Sequence, residues 1–334
     1  MIARPASGGE AESGRADEHT IVVALGGNAL LPAGERGDIH DQFAHTRESL
    51  APIVALAQAG WRIALVHGNG PQVGDELYRN EMARAQLPPL PLGVLVAGTA
   101  GWIGYMIQQS LQNALERAGV RRRVVTLITQ VLVDPDDPAT REPVKPIGRV
   151  LDEETAQLLA RDLGWTVAPV APVAPSGDGW RRLVPSPRPQ AIVERDLIRR
   201  LVDHGTIVIA AGGGGTPVYH DPLLRLEGVD GVIDKDRAAA VLAREIGAAV
   251  LLILTNVDGV FRGWGTDAPE MVRRMSVDQA ERLLASGELG RGSMAPKVEA
   301  AVAFVRGGGS AAYIGRLDRG QETVAGAAGT MIVA

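Results

Sequence analysis

Residues 228–261 read GVDGVIDKDRAAAVLAREIGAAVLLILTNVDGVF, and this stretch decides the fold of the chain. Asp234 suits the N-cap of a helix, apolar residues follow it at helical spacing, and Gly247 can end that helix in a left-handed conformation. The unbroken apolar run 249–254 then predicts a strand buried on both faces. This strand leads into the polar loop 255–259. The stretch is therefore half of an α/β unit, and open α/β sheets bind ligands at the carboxyl ends of their strands.

Lys235 stands in an unusual place for a cation. In the first turn of a helix it faces the positive end of the helix dipole, which costs about 0.3 to 1 kcal/mol. One interpretation is that an anionic ligand sits opposite Lys235. The alternative is a solvated charge that pairs with the neighbouring aspartates.

Lysine is scarce throughout the chain. Lysine and arginine together number 34, but the lysines are only Lys145, Lys235 and Lys297. Lys297, which follows the N-cap candidate Ser293, also falls in the first turn of a predicted helix. Because a compact ammonium differs from the planar guanidinium fork, the pattern favours a functional role for the lysines, with a usage bias toward arginine as the alternative. Lys145 lies in a Pro- and Gly-rich insert, either as an arm over a site or in an exposed loop.

Composition excludes several classes of protein. The chain has 334 residues, 46% hydrophobic and 22% charged, with a net charge of −5 and no cysteine. Thiol chemistry and disulfides are excluded, and the acidic balance with 4% aromatics argues against a nucleic-acid partner. No apolar run reaches membrane-span length, and residues 1–19 read as a disordered tail, so we expect a cytoplasmic protein. Arg181, Arg182 and the arginines at 121–123 are interpreted as solvated.

Three predicted strands run directly into glycine. Residues 20–25 precede Gly26 and Gly27, residues 61–66 precede HGNG, and residues 206–211 precede four glycines. Glycine lets backbone N–H groups approach an anion, although each junction alone also fits a plain tight turn. Neither the dinucleotide fingerprint nor a Walker A sequence is present. His67 at the second junction is interpreted as a structural residue.

The order of elements predicts an α/β fold. Strands alternate with helices along the chain, which indicates a mainly parallel sheet covered on both faces. Residues near 41–59 are predicted to form a single helix, and residues 92–117 another. Residues from about 134 to 190 form an irregular insert. Glycine-rich strand ends with lysines, in the absence of cysteine, indicate the binding and transfer of phosphate, because phosphoryl transfer depends on positioning and charge neutralisation.

Eight motifs in order resemble the carbamate kinases of the amino acid kinase family. They cover the chain from about residue 20 to residue 334, and KPIG within the insert separates this branch from acetylglutamate and uridylate kinases. The motifs are VALGGNALL (23–31), HGNGPQVG (67–74), KPIG (145–148), GWRRLVPSP (179–187), AGGGGTPV (211–218), VIDKDRAAAVLA (232–243), LTNVDGV (254–260) and GSMAPKVEAA (292–301).

The resemblance implies a three-layer α/β/α sandwich with two lobes and a small protruding subdomain. The N-terminal lobe, residues 20–218, would hold carbamate and carry the insert, and the C-terminal lobe, residues 219–334, would hold the nucleotide. The implied activity is reversible phosphoryl transfer between ATP and carbamate, used to make ATP from carbamoyl phosphate and ADP in arginine breakdown. ATP or ADP with Mg²⁺ would be the cofactors, the phosphates would be the main Mg²⁺ ligands without a dedicated protein metal site, and the enzyme would be a homodimer.

The resemblance also assigns roles to individual residues. Lys235 and Lys297 would stabilise the phosphoryl group, Asp236 would orient them, and Lys145 would reach in from the insert. The acceptor and the γ-phosphate would be lined by Gly26, Gly27, Asn28, Gly68, Asn69, Gly70, Gly213 and Gly214. The nucleotide would be bordered by Asn256, Asp258, Val260 and Met294.

One segment departs from the family pattern. Family members typically carry Gln immediately before Gly-x-Ile-Gly-Tyr, whereas this chain has Ala100 there, within AGTA (97–100). A kinase of another small carboxylic acid and a catalytically silent nucleotide sensor are therefore alternatives. An NAD-linked Rossmann enzyme fits the element order alone and lacks the fingerprint.

Overall fold

The computed structural model describes residues 17–27, 30–31, 37–170, 179–264, 266, 268–289 and 294–334. The first strand begins at Asp17, three residues before the predicted start, and the predicted tail otherwise lies outside the described residues. Within the described part, no helix has the length and apolar character needed to cross a membrane.

The helices begin and end as follows: α1 (Ile39–Ser49), α2 (Ala51–Gln58), α3 (Gly70–Met82), α4 (Leu92–Arg117), α5 (Glu153–Leu163), α6 (Arg195–Asp203), α7 (Lys235–Glu245), α8 (Val277–Ala285), α9 (Met294–Arg306) and α10 (Gly320–Val324). The strands are β1 (Asp17–Leu25), β2 (Arg62–His67), β3 (Val124–Thr126), β4 (Gln130–Val133), β5 (Pro143–Leu151), β6 (Val167–Val170), β7 (Gly179–Pro185), β8 (Pro189–Ile192), β9 (Ile207–Ile209), β10 (Thr216–Asp221), β11 (Arg225–Gly228), β12 (Ala248–Thr255), β13 (Val260–Arg262), β14 (Glu270–Val272), β15 (Arg274–Ser276), β16 (Ala311–Arg316) and β17 (Thr330–Val333).

A mainly parallel sheet forms the centre of the fold. Among the described residues it has eight strands in the order β15-β17-β16-β12-β1-β2-β9-β3, in which β16 and β17 are antiparallel. The strands β1, β2 and β9 are adjacent and parallel, so their glycine junctions meet at one edge of the sheet, as the sequence predicts. The neighbouring strand β12 is buried along nearly its whole length.

Helices cover both faces of this sheet and make three layers. Alternate residues of β1 point to opposite faces: Val22 and Ala24 pack with α6, α7, α8 and α9, whereas Ile21, Val23 and Leu25 pack with α2 and α4. Strand periodicity of two residues places successive side chains on opposite faces, so a strand covered on both sides is apolar throughout. The predicted α/β/α sandwich is confirmed.

The insert forms a protruding subdomain that packs on α3. Strands β5, β7 and β6 make a three-stranded antiparallel sheet, and α5 packs against it. The contact with α3 is very close at Gly74, where a Cβ would lie 2.1 Å from the Cα of Gly148. The absence of a side chain at Gly74 therefore allows the subdomain to approach the main body at this point, and β5 carries Lys145 toward the sheet edge.

Candidate active site

A cavity of about 610 Å³ lies at the carboxyl ends of β1, β2 and β12. All three lysines of the chain line it, although they come from α7, α9 and the protruding subdomain. Glycines that follow β1 and β2 line the same cavity. The sequence-based interpretation that the scarce lysines face one common target is therefore supported by their positions.

Lys235 and Lys297 share one carboxylate. The Nζ of Lys235 lies 2.5 Å from Oδ1 of Asp236, and the Nζ of Lys297 lies 3.1 Å from Oδ2 of the same residue. Lys235 is the first residue of α7, and Lys297 is in the first turn of α9. Asp236 is only 2% exposed, so its buried carboxylate anchors both ammonium groups, and both lysines line the cavity.

Burial and charge act together on these groups. Burial lowers the pKa of Lys235, and the charge of Lys297 adds to this effect against the attraction of Asp236. Burial opposes ionisation of Asp236, but the charges of Lys235 and Lys297 outweigh it, and the pKa of Asp236 lies below its usual value. Two cations beside one anion leave an excess of positive charge, which attracts an anionic ligand.

Asp234 connects the helix start to the protruding subdomain. Its Oδ1 caps α7 by accepting from the backbone N–H groups of Asp236 and Arg237, and its Oδ2 lies 2.8 Å from the Nζ of Lys145. Burial opposes ionisation, but Lys145 and Lys235 keep the pKa of Asp234 well below the usual value. The carboxylate of Asp234 thus caps the helix and also fixes the position of the Lys145 ammonium group.

Glycine is required at two junctions because the backbone is tightly packed there. Gly213 has φ +69°, and a Cβ on it would lie 2.3 Å from Nδ2 of Asn69. Gly214 has φ +98°, and its Cβ would lie 2.3 Å from the carbonyl oxygen of Ile233. Any larger residue would push apart the loop and the segment before α7.

Asn69 and His67 have different surroundings, although both are buried. Asn69 donates from Nδ2 to Oγ1 of Thr99 at 2.9 Å, which fixes the orientation of its amide within the cavity wall. His67 lies behind the glycine loop, where burial lowers its pKa to about 4. A Cβ on Gly212 would lie 2.5 Å from Nε2 of His67, so the neutral ring fits the structural role that the sequence suggests.

The ends of β12 and β16 form another wall of the cavity. Thr255 ends β12 and Asn256 follows it there, while Arg316 ends β16 and Asp318 comes shortly after it. Arg316 donates from Nε and Nη2 to the two carboxylate oxygens of Asp318 at 2.7 and 2.6 Å. Asp258 is 3.9 Å from Nε of Arg316, just outside the cavity lining.

Comparison with known proteins identifies the family. The model of the amino acid kinase family matches residues 19–316. The chain is 42% identical to a carbamate kinase of Pyrococcus furiosus, covering 94% of this chain and 98% of that one, and 45% identical to a carbamate kinase of Halobacterium salinarum, covering 93% and 97%. The chain belongs to the amino acid kinase family. Its fold also matches a solved carbamate kinase from Giardia lamblia bound to citric acid, with a TM-score of 0.88 at 36% identity over 95% of this chain and 99% of that one. The structure of a Giardia lamblia carbamate kinase bound to AMP-PNP matches with a TM-score of 0.83 at 36% identity and the same coverage.

Most site residues predicted for this amino acid kinase line the same cavity. They are Lys145, Lys235, Asp236, Lys297, Gly26, Gly27, Gly68, Asn69, Gly70, Gly213 and Asn256.

The remaining predicted residues lie elsewhere. Gly214 lies next to the lining, and Asn28 lies outside the described residues. Val260 is buried in the core and its N–H donates to Oγ1 of Thr330, and Met294 packs against the same core at the start of α9. The contacts of Asp258, Val260 and Met294 with a nucleotide stay predictions.

Sequence reasoning misread several arginines of this kinase as solvated. Arg182 is largely buried: it lies 2.6 Å from Glu81 and stacks over the ring of Trp165. Arg122 donates from Nε to the carbonyl of Gly205. Arg181 lines the cavity. Neighbouring arginines in a strand point to opposite faces, and this alternation is the signal that could have separated them.

Asp318 and Arg316 were also missed by sequence reasoning. Arg316 ends β16 and Asp318 comes shortly after it, and β16 pairs in parallel with β12, so the rule that predicts ligands at strand ends applies to both residues.

The departure at Ala100 lies behind the site. Ala100 is 4% exposed, and a Cβ on Gly212 would lie 3.0 Å from that of Ala100. The adjacent Thr99 holds Asn69, as described above. Ala100 therefore packs behind the glycine loop and does not line the cavity that holds the three lysines.

Proposed function

We propose that the protein catalyses reversible transfer of the γ-phosphoryl group between ATP and carbamate. The observation that carries this proposal is the convergence of Lys145, Lys235 and Lys297 on one glycine-lined cavity. Two anionic substrates brought to about 4 Å repel by about 4 kcal/mol at an effective dielectric near 20. Lysines and backbone N–H groups at the glycine junctions would offset that repulsion.

In the proposed reaction a carbamate oxygen attacks the γ-phosphorus, and the bond from that phosphorus to the leaving ADP oxygen breaks. Lys235 and Lys297 would contact the phosphoryl oxygens during transfer, because the same buried carboxylate of Asp236 holds both of their ammonium groups close together. Their charge would stabilise the moving group without reorganisation, which is the main source of catalysis in phosphoryl transfer.

Asp236 would organise the two lysines and would not act as a base. Carbamate is already an anion at pH 7, so its attacking oxygen needs no proton removed. The lowered pKa of Asp236 and its contacts with both lysines support this role. Lys145 would add charge from the subdomain and would hold Asp234 in position at the start of α7.

The acceptor would lie near Gly26, Gly27, Gly68, Asn69 and Gly70, with Gly213 and Gly214 at the γ-phosphate. The nucleotide would lie along the ends of β12 and β16, bordered by Asn256, Asp258, Val260 and Met294. A wall built from the polar residues that follow these strands supports this division.

Mg²⁺ would enter with the nucleotide. Among the described residues no group of three or more histidine or acidic side chains is placed to hold a metal ion, and both carboxylates nearest the lysines are already paired. The nucleotide phosphates would therefore supply most of its ligands, as is common for Mg²⁺. When bound, the ion would neutralise phosphate charge. We further propose that the enzyme works in the cytoplasm, making ATP during arginine breakdown.

We expect Mg²⁺-dependent ATP formation from carbamoyl phosphate and ADP, measured with a coupled assay. In the other direction, carbamate should be phosphorylated at least about 100-fold faster than acetate or N-acetylglutamate, because a site built for one set of polar groups rejects analogues by this order. Faster turnover of another carboxylic acid would identify a different kinase. ATP binding without turnover of any acceptor would favour a nucleotide sensor.

We propose that the chain forms a homodimer through an exposed apolar stripe of α4. Val94 and Tyr105 are 50% and 56% exposed on one face of this helix. Ile128 is 48% exposed, and its Cδ1 would lie 3.7 Å from a Cβ on Gly101 of α4. Gly98 on the same face leaves open space for a close approach. Contiguous apolar surface of this kind indicates a protein interface.

Light scattering should give twice the mass of one chain for the unmodified protein. Val94→Glu should yield the mass of a single chain, because a buried unpaired carboxylate would weaken the interface. Leu223→Glu, at a 90% exposed position in the turn between β10 and β11, is the control and should leave the mass unchanged. A dimeric Val94→Glu variant would contradict this interface.

A further inference from the structure

Arg181 differs from the other cations that line the cavity. Lys145 pairs with Asp234, Lys235 and Lys297 pair with Asp236, and Arg316 pairs with Asp318. Within the described part of the chain, Arg181 forms no ion pair, and its Nε is buried without a hydrogen-bond partner. Burial lowers the pKa of the Arg181 guanidinium. A buried guanidinium without a counterion is costly unless a ligand supplies the charge.

The strand geometry directs Arg181 toward the cavity. On β7, Arg181 lies opposite Ala168 of β6, and its neighbour Arg182 lies opposite Ile147 of β5. Arg182 extends to the other face, where Glu81 and Trp165 hold it. Because successive side chains of a strand alternate, Arg181 points away from Glu81 and Trp165, and it lines the cavity.

The position of Arg181 selects the acceptor end of the cavity. It enters from the protruding subdomain beside Lys145 and Pro146, whereas the proposed nucleotide wall is built from the ends of β12 and β16. A guanidinium presents a planar fork that matches the two oxygens of a carboxylate. Carbamate is the carboxylate-like partner in the proposed reaction.

We propose that Arg181 binds the carboxylate of carbamate, and the carbamoyl oxygen of carbamoyl phosphate in the reverse direction. This inference rests on the proposed function and adds the residue that recognises the acceptor. As phosphate leaves carbamoyl phosphate for ADP, negative charge develops on the carbamate oxygens. Arg181 therefore contacts this group more strongly in the transition state than in the ground state, which raises kcat as well as affinity.

The test is two-substrate kinetics of Arg181→Gln and Arg181→Lys. We expect Arg181→Gln to lower kcat/KM for carbamoyl phosphate by about 100-fold or more, with the KM for ADP changed less than about threefold. Arg181→Lys keeps the charge but loses the planar fork, so its kcat/KM for carbamoyl phosphate should lie between those of the unmodified protein and Arg181→Gln. Arg149→Gln is the matched control, because Arg149 lies in the same subdomain and pairs with Asp75 outside the cavity. It should keep the constants of the unmodified protein.

Thermal shift measured with each substrate separates binding from turnover. Carbamoyl phosphate should raise the Tm of the unmodified protein and raise that of Arg181→Gln far less, while ADP raises both equally. Unchanged constants for carbamoyl phosphate, or a loss confined to ADP, would overturn the role of Arg181. If Arg181→Gln does not fold, unchanged constants in Arg181→Lys would overturn it. An unmodified protein that binds carbamoyl phosphate but makes no ATP would contradict the proposed function alone. The difference in Tm increase between the unmodified protein and Arg181→Gln would still test whether Arg181 binds carbamoyl phosphate.

Discussion

Lys235→Ala and Lys297→Ala are each expected to lower kcat for ATP formation from carbamoyl phosphate and ADP by about 10²- to 10³-fold. Each substitution removes one of two ammonium groups that are anchored on the same buried carboxylate and aimed into the cavity. The loss should appear mainly in kcat, because the charge that these groups neutralise is greatest while the phosphoryl group moves. Initial rates in a coupled assay at saturating substrates measure it.

The control for this pair is Arg306→Ala. Arg306 is the last residue of α9, the helix that carries Lys297, and it is exposed with ion pairs to Asp278 and Glu281. Exposed pairs contribute about 0 to 1 kcal/mol, so this variant should retain nearly full activity. Near-normal kcat in both lysine variants would contradict the account.

Asp236→Asn is expected to reduce both stability and kcat. The carboxylate accepts from Lys235 and Lys297 while only 2% exposed, so an amide would leave two buried ammonium groups without their counterion. Removal of one partner of a buried pair costs about 3 to 5 kcal/mol. Denaturant unfolding at pH 7 should show a loss of this order, and kcat should fall because the lysines lose their shared anchor.

Added ADP distinguishes an organising role from a purely structural one. The nucleotide phosphates would supply negative charge to the lysines, so ADP should raise the Tm of Asp236→Asn more than that of the unmodified protein. Asp278→Asn, at an exposed carboxylate, should change stability by less than about 0.5 kcal/mol. Unchanged kcat and stability in Asp236→Asn would show that Asp236 does not organise the site.

The sequence predicts best where one local signal agrees with the tertiary structure. Asp234 caps α7 and Gly247 follows its end with φ +72°, as their residue types indicate. The predicted helix at residues 92–117 has the same limits as α4. Convergence of Lys235 and Lys297 could also be predicted, because unfavourable first-turn positions need a compensating partner. For Lys145 the sequence left an exposed loop as an open alternative.

Prediction failed where a competing local or tertiary effect was overlooked. The single helix predicted near residues 41–59 is two helices that meet at Leu50, because Pro52 lacks the N–H that a continuous helix would use. Burial of Arg181 and Arg122 could not be read from composition, since it depends on which strand face meets the main body. Their partners, or the lack of them, appear only when distant segments come together.

A crystal structure of the protein with AMP-PNP and Mg²⁺ would show directly whether both lysines bind the transferred phosphate. We expect the Nζ atoms of both Lys235 and Lys297 to lie within about 3 Å of oxygens of the terminal phosphate, with Asp236 still between them. A terminal phosphate bound away from this carboxylate, or either lysine turned out to bulk solvent, would contradict it.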